Sequence, residues 1–537
     1  MTAVLPLPPS PNRRSVPTWS IYLSAAVCLL TVAKAAVTPI YQGFLTDTGA
    51  GRQPGLPDYS YAGYQHGEQP IPAVKGPIFD VTHFGAVPNS NQSAFAAIQK
   101  AIDACEAAGG GVVWFPKGVY QLNPAPSDAD QPRLRISKSG VVLRGVGAGP
   151  DGSVLYMEAE IQPENPNQMW SGRPVLLVAP ADREKAAVLG EVAGAVAMNQ
   201  RRIPMKTGHT IKPGDRVVLT YKVAGTETEV LNQQIAPHTW LPEWKNGLAF
   251  KERHEVERVG PNFIQLREVL LTPIKADQMW TVSSTRYINN VGVENLRFQG
   301  NWKEKFVHHQ DWRCDSAWRG FVFNYVENSW AWNCVFADMN WPIQVVNSRQ
   351  STLAKLTFTG TQGHFGLQCT GSTNILNLAI HDEAGHHHGP SLQNGSAGTV
   401  YHGCSWRREG SFDSHGGNSY ASLFELGEGG LTLKGVGGSL AAYPHHLHAC
   451  VVWNHRQTAL SKAPVDFWPE TASGWASTFG QPILVGITGQ ALDYKNVFLQ
   501  EGEGQFVSPQ SLWLAQVQKR LGAIPAYLTG FSGPARP

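Results

Sequence analysis

A strand-like pattern recurs along the middle of the chain and limits the folds that it can adopt. The pattern occupies residues 331–336, 353–358, 375–380 and 401–406, so that its last residue advances by 22, 22 and 26 positions. A period of about 20–30 residues indicates stacked supersecondary units rather than a single wrapped core. Because no helical pattern separates the units, the repeat predicts an all-β solenoid, a right-handed parallel β-helix. Its stacked turns would bring distant residues into one groove that suits an extended polymer.

The charge balance gives no reason to expect nucleic acid as a partner. The chain has 537 residues and a formal net charge of +2, and only 16% of its residues are charged. A strong basic excess would be needed to indicate a polyanionic nucleic acid or an acidic membrane surface. We expect a monomer whose contact with a membrane is limited to export.

The first 35 residues have the pattern of a secretory signal peptide. Arg13 and Arg14 precede the apolar run 21–30, and Ala33 and Ala35 form a small-x-small cleavage site. We expect cleavage after Ala35 and a secreted product, extracellular or periplasmic. An uncleaved signal anchor is the alternative.

The remaining chain divides by its patterns into five parts. Residues 95–107 have apolar residues at helical spacing and are followed by a glycine run. Residues 509–521 also have helical spacing, and Gly522 closes them. Antiparallel strand patterns interrupt the coil rhythm after residue 160 and predict an insertion that forms a wall of the groove. The predicted parts are an extended N-terminal arm (36–75), first coils with a capping helix (76–159), a β-rich insertion (160–285), coils with the candidate site (286–495), and a C-terminal helix and tail (496–537).

Four segments of the first coils resemble a known superfamily. Residues 84–87, 97–102, 109–120 and 139–147 are similar to the opening of the pectate-lyase-like β-helix superfamily. The resemblance covers about 70 residues and implies a parallel β-helix whose N-terminal end is covered by the helix. It does not imply one reaction, because lyases, glycoside hydrolases and phage tailspikes share this fold. Residues 88–92, Pro-Asn-Ser-Asn-Gln, lack the acidic residues that many members have there.

A second resemblance concerns the C-terminal half. Residues 385–391 and 443–446 resemble an uncharacterised domain of ulvan-lyase-like polysaccharide lyases. The resemblance implies an enzyme that acts on an acidic polysaccharide.

Histidines and arginines collect in the turns of the central coils. When the following strands are aligned at Asn347, Thr370 and Asn394, the sixth preceding residues are Trp341, His364 and His388. The alignment therefore predicts one column of these three side chains along the solenoid.

β-Elimination from a uronate requires a cation on the carboxylate, a base for the C5 proton and an acid for the O4 leaving group. Imidazole, guanidinium and phenol groups suit these tasks. We expect His364 and His388 to act as the base or its partner, Arg407 or Arg408 to bind the carboxylate, and Tyr420 or His415 to act as the acid. The residues expected to bind substrate are His308, His309, Arg319, Trp341, His387 and Asp413.

Three alternatives remain open from the sequence. A glycoside hydrolase would need a carboxylate pair, which Asp382, Glu383, Glu409 and Asp413, or Asp311 and Asp315, could supply. A protein that binds glycans without catalysis would use exposed tryptophans. A metal site could form from His381, His386 and His388, and a divalent cation such as calcium is a candidate cofactor. The turn histidines could also simply hydrogen-bond neighbouring coils.

Overall fold

A computed structural model describes most of the chain after the predicted leader. The described residues are 37–46, 55–123, 133–182, 185–222, 249–407, 412–431, 437–438, 444–460, 462–470 and 478–531. The predicted signal peptide and Arg408 lie outside these ranges.

Parallel strands stack along the whole described chain and form the predicted β-helix. The long sheet has 15 strands, and each of its pairings is parallel. Its strands are Ile78–Asp80, Gly111–Phe115, Gly118–Gln121, Val141–Gly145, Ser153–Tyr156, Gly292–Glu294, Arg297–Gln299, Trp330–Ala337, Thr352–Thr359, Leu376–Asp382, Val400–His402, Ser422–Glu425, Cys450–Trp453, Ile483–Val485 and Leu499–Glu501.

The coils differ in length from the predicted repeat. Phe336 pairs with Phe358 after 22 residues, as the sequence predicts. Leu356 pairs with Ile380 after 24 residues, and Leu378 pairs with His402 after another 24. The predicted spacings of 22 and 26 for these two coils are therefore each wrong by two residues. A shift of two residues keeps each side chain on the same face of its strand. The alternating pattern in the sequence is therefore the same in both registers.

A residue in the left-handed conformation bends three successive strands of the long sheet at the same place. Asn333, Lys355 and Ala379 have φ values of 51°, 54° and 48°, and they occupy the gap in successive pairings. This region normally disfavours residues other than glycine and asparagine. Because the same left-handed bend is stacked from strand to strand, it persists even where the residue is a lysine or an alanine.

A second parallel sheet carries the candidate site at the beginnings of its strands. Its strands are Leu134–Ile136, Pro174–Val178, Arg319–Asn324, Trp341–Val346, Leu367–Thr370, Ser391–Gln393 and Asp413–Ser414. Left-handed residues follow four of these strands: Tyr325, Asn347, Gly371 and Asn394, with φ values of 55°, 48°, 56° and 52°.

The helix Phe95–Ala107 forms where its spacing predicts it. Ile98, Ala101 and Ile102 are buried in the same apolar core as the coil residues Val113 and Leu143. Its function as an end cap stays a prediction. The helix Leu512–Leu521 begins with Ser511, whose Oγ accepts a hydrogen bond from the Leu514 N–H at 3.0 Å, and ends at left-handed Gly522.

The segment before residue 75 packs on the coils instead of forming a simple extended arm. It contains the helix Pro39–Thr46 and the 3₁₀ turns Tyr59–Tyr61 and Tyr64–Gly67. The Tyr59 hydroxyl is fully buried and donates towards the carbonyls of Ser422 and Ala449, both at 3.3 Å. The other short helices are Val81–Phe84, Trp312–Ser316 and Ala526–Phe531.

An antiparallel sheet of six strands forms the insertion. Its strands are Val188–Glu191, Arg202–Pro204, Arg216–Lys222, Ala249–Gly260, Phe263–Leu266 and Thr281–Ser284. The insertion begins after the predicted residue 160, because Pro174–Val178 pairs with Arg319–Asn324 of the coils.

The insertion contacts the far ends of the second-sheet strands. Nε of Arg253 donates to the Gly371 carbonyl at 2.7 Å, and one terminal nitrogen donates to Oδ1 of Asn347 at 2.6 Å. These partners follow their strands, whereas His364, His387 and His388 precede the strands Leu367–Thr370 and Ser391–Gln393. The prediction that the insertion walls the histidine groove is therefore wrong for the described residues.

Three small parallel sheets complete the coils. They join Ile288–Asn289 with Val326–Glu327, Glu428–Gly429 with Arg456–Gln457 and Thr488–Gly489, and Val465–Asp466 with Tyr494–Lys495. None of the helices in the described ranges has the length and apolar character needed to span a bilayer.

Candidate active site

A column of stacked side chains runs along the start of the second sheet. The strand register aligns Arg319 with Trp341, and Phe365 forms a parallel bridge to His388. The Arg319 guanidinium carbon lies 4.2 Å from the centre of the Trp341 ring. The Trp341 and Phe365 rings stack at 4.5 Å, and so do the Phe365 and His388 rings. Four successive coils therefore contribute one member each.

The predicted column of Trp341, His364 and His388 is wrong by one residue in its middle coil. Val346 pairs with Thr370, and Thr370 pairs with Gln393. Gly371 is consequently the counterpart of Asn347 and Asn394. The sequence alignment uses Thr370 because the corner residue of this coil is Gly371 and not an asparagine. It therefore predicts His364 in the column, at the position that Phe365 occupies.

His364 nevertheless lies in the site, beside the column. Its ring centroid is 5.2 Å from that of His388, 5.3 Å from that of His308 and 4.5 Å from that of Phe365. His387 is its counterpart in the next coil, since the His388 N–H donates to the His364 carbonyl at 2.8 Å.

Six imidazoles form one continuous cluster, which we call the histidine cluster. Its members are His308, His309, His364, His387, His388 and His415. The His308 and His387 rings stack at 4.3 Å, and the His388 ring lies 4.6 Å from His387 and 4.7 Å from His415. His308 and His309 lie upstream of the turn histidines in the sequence, and the fold brings all of them onto the same surface.

The loop before Arg319 carries His308 and His309 and is fixed by two aspartates. Oδ1 of Asp311 accepts a hydrogen bond from the Cys314 N–H at 2.9 Å and begins the helix Trp312–Ser316. Asp315 is fully buried, and its Oδ2 lies 2.5 Å from Nδ1 of His309. This loop, rather than the insertion, forms a wall of the site.

Asp413 is a buried carboxylate at the other end of the cluster. Its oxygens accept hydrogen bonds from Ser391 Oγ at 2.6 Å and from the Gly437 N–H at 3.0 Å. Nδ1 of His388 lies 3.4 Å from Oδ1, and Nδ1 of His415 lies 3.5 Å from Oδ2. Burial alone would raise the pKa of this carboxyl, but the two imidazoles hold the pKa well below its usual range.

Burial and mutual repulsion keep several imidazoles neutral. Burial first, and then the positive charge that neighbouring histidines would carry, lower the pKa of His308 to about 3. The pKa of His387 is also lowered to about 3, by burial, by His388 and His308, and by the nearby Arg407 guanidinium. The same causes place the pKa of His364 well below its ordinary value.

Exposure separates the residues that a polymer can touch from those that it cannot. His364 and His388 are each only 1% exposed, so neither can reach a bound sugar directly. His387 and His415 are partly exposed and both contact His388. Of the two predicted roles for His388, base or partner of the base, the geometry favours the partner.

One predicted catalytic residue, Tyr420, packs against the insertion instead of lining the site. Tyr420 is fully buried, and its hydroxyl donates to the Lys251 carbonyl of the insertion at 3.2 Å. Its ring packs on Phe250 and His448, which leaves it no position from which to protonate a substrate. Arg408 lies outside the described residues. The Arg407 side chain lies beside Gly385, two residues before His387, and its positive charge contributes to the lowered pKa of His387.

The predicted substrate-binding residues differ in accessibility. Arg319 is committed to the protein, since it donates to the Gly172 carbonyl at 2.7 Å and to Oε1 of Gln344. Trp341 is 5% exposed and Asp413 is 1% exposed, so both support the site from beneath. His308, His309 and His387 remain available to a ligand.

Among the carboxylates proposed for hydrolysis, Asp315, Asp382 and Asp413 are buried. Asp311 accepts the Cys314 N–H, Glu383 is exposed, and Glu409 lies outside the described residues. Asp382 accepts hydrogen bonds from Nδ1 of His386 at 2.8 Å and from the backbone N–H groups of Gly385 and His386. This pair also removes His386 from the predicted metal set with His381 and His388. Among the described residues, three other groups bring ring nitrogens or a carboxylate within 4.8 Å of one another: His308, His309 and His364; His308, His387 and His388; and His388, Asp413 and His415.

A separate cavity of about 390 Å³ lies over the long sheet. Its lining includes Trp332, Leu376, Leu378 and Phe531, together with the Arg144–Glu294 ion pair. None of its lining residues belongs to the histidine cluster.

Comparisons with known proteins match two separate segments of the chain to two different families. Residues 78–170 match a family described as rhamnogalacturonase A/epimerase, pectate lyase-like. Residues 385–531 match a domain of unknown function. The predicted likeness of this C-terminal segment to ulvan-lyase-like proteins stays a prediction.

Two similar proteins are mannuronan C5-epimerases of Azotobacter vinelandii. AlgE3 is 40% identical over 72 residues, and AlgE4 is 41% identical over 71 residues, in each case 13% of this chain. The matched segments span only 4% and 12% of these relatives.

Solved structures with similar coils include a phage tailspike and an epimerase module. The gp54 tailspike of Acinetobacter baumannii bacteriophage AP22 has a TM-score of 0.42 at 10% identity, over 78% of this chain and 58% of the tailspike. The A-module of A. vinelandii AlgE4 has a TM-score of 0.27 at 14% identity, over 79% of this chain and 96% of the module.

The parallel coils, their register and the family match over residues 78–170 agree with one another. They support a pectate-lyase-like parallel β-helix superfamily for this chain.

Proposed function

We propose that this chain is an exported enzyme that acts on a uronic-acid-containing polysaccharide and begins its reaction by removing the C5 proton of a uronate. The similarity of residues 78–170 to a family named for a rhamnogalacturonase and an epimerase supports a polysaccharide substrate. The local identity with mannuronan C5-epimerases supports a uronate. The leader pattern in residues 1–35 supports export.

The observation that carries the proposal is the position of two partly exposed imidazoles on either side of a buried one. The ring centroids of His387 and His415 lie 4.6 and 4.7 Å from that of His388. Removal of a proton from C5 and protonation of O4 need two groups at separate points of one sugar linkage. His387 and His415 offer such a pair.

Charges near the two rings assign their roles. The Arg407 side chain lies beside Gly385, two residues before His387, so a uronate carboxylate bound to Arg407 would bring C5 near His387. His387 is therefore the base. His415 faces the Asp413 carboxylate at 3.5 Å, which stabilises a protonated ring, and His415 is therefore the acid. His388 and Asp413 are positioning residues beneath them.

In the elimination, His387 takes the C5 proton while Arg407 offsets the charge that develops on the carboxylate. The C4–O4 bond then breaks, a double bond forms between C4 and C5, and O4 leaves with a proton from His415. The product carries an unsaturated uronate at its new non-reducing end.

A second candidate is C5 epimerisation, favoured by the local identity with the mannuronan C5-epimerases. Its first step is the same proton abstraction. A proton then returns to C5 from the opposite face, and no bond of the chain is broken.

The test uses the purified chain with ulvan, pectate, alginate and glucuronan in buffered heavy water. Elimination gives the ultraviolet absorbance of the new double bond, and epimerisation gives deuterium at C5 without that absorbance. We expect His387→Ala to reduce either signal by at least about 100-fold. His381→Ala is the matched control, because His381 is exposed and bonds to Ser405 Oγ outside the cluster.

Other outcomes identify the remaining classes. New reducing ends without absorbance or deuterium would indicate a glycoside hydrolase and overturn the proposal. Binding of a polysaccharide without any change in it would indicate a glycan-binding protein. Full activity of His387→Ala would leave the substrate class intact and remove His387 from the mechanism.

A further inference from the structure

We propose that His308, His309 and His364 bind one divalent transition-metal ion of the zinc class. One ligand nitrogen of each ring lies within 4.8 Å of the others. Three imidazoles at this separation need only small side-chain rotations to reach one ion at about 2.0–2.1 Å. The inference concerns metal binding alone and does not depend on the substrate of the enzyme.

Asp315 orients two of the three rings from behind. Its Oδ2 lies 2.5 Å from Nδ1 of His309, and its backbone carbonyl lies 3.2 Å from Nδ1 of His364. Histidines that bind a metal commonly donate their other ring N–H to a carboxylate or a carbonyl, which fixes the tautomer. This arrangement leaves Nε2 of both rings as the ligand atom.

Nε2 of His364 is the observation that points to a ligand. The side chain is 1% exposed, and among the described residues this nitrogen has no hydrogen-bond partner. A buried polar atom without a partner costs free energy, so native proteins rarely keep one. The ring centroids of His308 and His309 are both 5.3 Å from that of His364, and one nitrogen of each of the three rings lies within 4.8 Å of the others.

The donor set determines the class of metal. Imidazole nitrogens suit zinc, copper, cobalt and nickel, whereas calcium prefers six to eight oxygens. Calcium, a candidate from the sequence, therefore does not fit these three residues. Three protein ligands leave a coordination position open, as in catalytic zinc sites. His309 is 37% exposed, so the ion can enter from solvent.

Two other groups of the cluster are weaker candidates for the same ion. One consists of His308, His387 and His388, and the other of His388, Asp413 and His415. Asp413 is already engaged by Ser391 Oγ and the Gly437 N–H. In the group with Asp413 that carboxylate would itself be a ligand, whereas Asp315 holds His309 and His364 from outside the proposed ligand set.

The experiment measures metal binding without substrate. The full chain, purified without a polyhistidine tag and dialysed against EDTA, is titrated with Co²⁺ while its visible absorption is recorded, and with Zn²⁺ by calorimetry. We expect one equivalent to bind, with the visible bands of a low-coordinate cobalt site. His309→Gln should remove most of the binding, and Asp315→Asn should weaken the binding about 10- to 100-fold. His381→Gln should bind like the wild type.

Three outcomes would overturn the proposal. They are the absence of stoichiometric binding to the wild type, unchanged binding to both His309→Gln and Asp315→Asn, and loss of binding in His415→Gln with retention in His309→Gln. Because Asp315 is fully buried, its variant is interpreted only if circular dichroism shows a native fold. If Asp315→Asn does not fold, metal binding by His309→Gln tests the proposal, because His309 is partly exposed. Failure of this test leaves the proton-transfer roles of His387 and His415 untouched.

Discussion

Oδ1 of Asp413 lies 3.4 Å from Nδ1 of His388, and both side chains are almost completely buried. The other oxygen faces His415, so one carboxylate holds two rings of the proposed proton-transfer set. Asp413→Asn keeps the shape but loses the negative charge that stabilises protonated His415. We expect turnover to fall at least about 100-fold, measured as the rate of C5 proton removal at saturating polysaccharide.

Asp382→Asn is the matched control for this substitution. Asp382 is also buried, and it pairs with Nδ1 of His386 at 2.8 Å outside the histidine cluster. Both variants should lose stability, but only Asp413→Asn should lose turnover. Equal turnover in the two variants would contradict the role of Asp413.

The Phe365 ring supports His388 through a stack of 4.5 Å with an interplanar angle of 29°. Phe365→Leu retains an apolar side chain of similar volume, so it should cost less than about 1.5 kcal/mol of unfolding free energy. Loss of the flat surface lets His388 shift, and we expect turnover to fall about 10- to 100-fold with little change in KM. Phe358→Leu, in the core of the long sheet, should cost similar stability and leave turnover unchanged.

The place of Phe365 also shows what the sequence can predict and what it cannot. Repeated apolar alternation predicts the coils, and the shared corner residues Asn347 and Asn394 predict which residues stack. At Gly371 the corner persists while its residue type changes, because glycine adopts the left-handed conformation as readily as asparagine. A register read from side chains therefore slips by one at this coil, and His364 is placed in the column instead of Phe365.

The loop with His308 and His309 shows a second limit. Its residues lie outside the repeat, so periodicity says nothing about where they fold. The buried contact between Asp315 and His309 fixes the loop across the turns, and this contact exists only in three dimensions. The sequence could predict the chemistry of these side chains but not their convergence with His387 and His388.

A buried guanidinium joins the coils to the insertion. Arg349 is fully buried, donates to Oε2 of Glu327 at 2.7 Å and also pairs with Glu268. Arg349→Met would leave both carboxylates without this charge, and we expect a loss of about 3–5 kcal/mol in unfolding free energy. Chemical denaturation followed by tryptophan fluorescence measures it.

The control for Arg349 is an ion pair at the surface. Arg456 lies 3.1 Å from Glu428, with side chains 54% and 37% exposed. Arg456→Met should cost less than about 1 kcal/mol. A similar cost for the two variants would mean that the buried network contributes no more than a solvated pair.

The stability of the chain should fall in mild acid because of buried histidines beyond the active site. His446 is fully buried, stacks on Phe479 at 5.7 Å, and its Nδ1 lies 3.0 Å from the Leu447 carbonyl. Burial, together with the smaller effect of the charge on His448, lowers its pKa to about 3. In the unfolded chain the imidazole titrates near its ordinary pKa of about 6.5, so the unfolded state binds the proton first.

The contribution of His446 is therefore fully present above about pH 6.5 and is lost as the pH falls towards 3. Between about pH 7 and about pH 5 this one residue should remove about 2 kcal/mol of unfolding free energy. His446→Phe keeps the stack on Phe479 and should flatten the pH dependence by that amount, measured by urea denaturation at both pH values. The exposed His83, changed to glutamine, should leave the slope as it is. An unchanged slope in His446→Phe would show that His446 is not the group whose protonation weakens the fold.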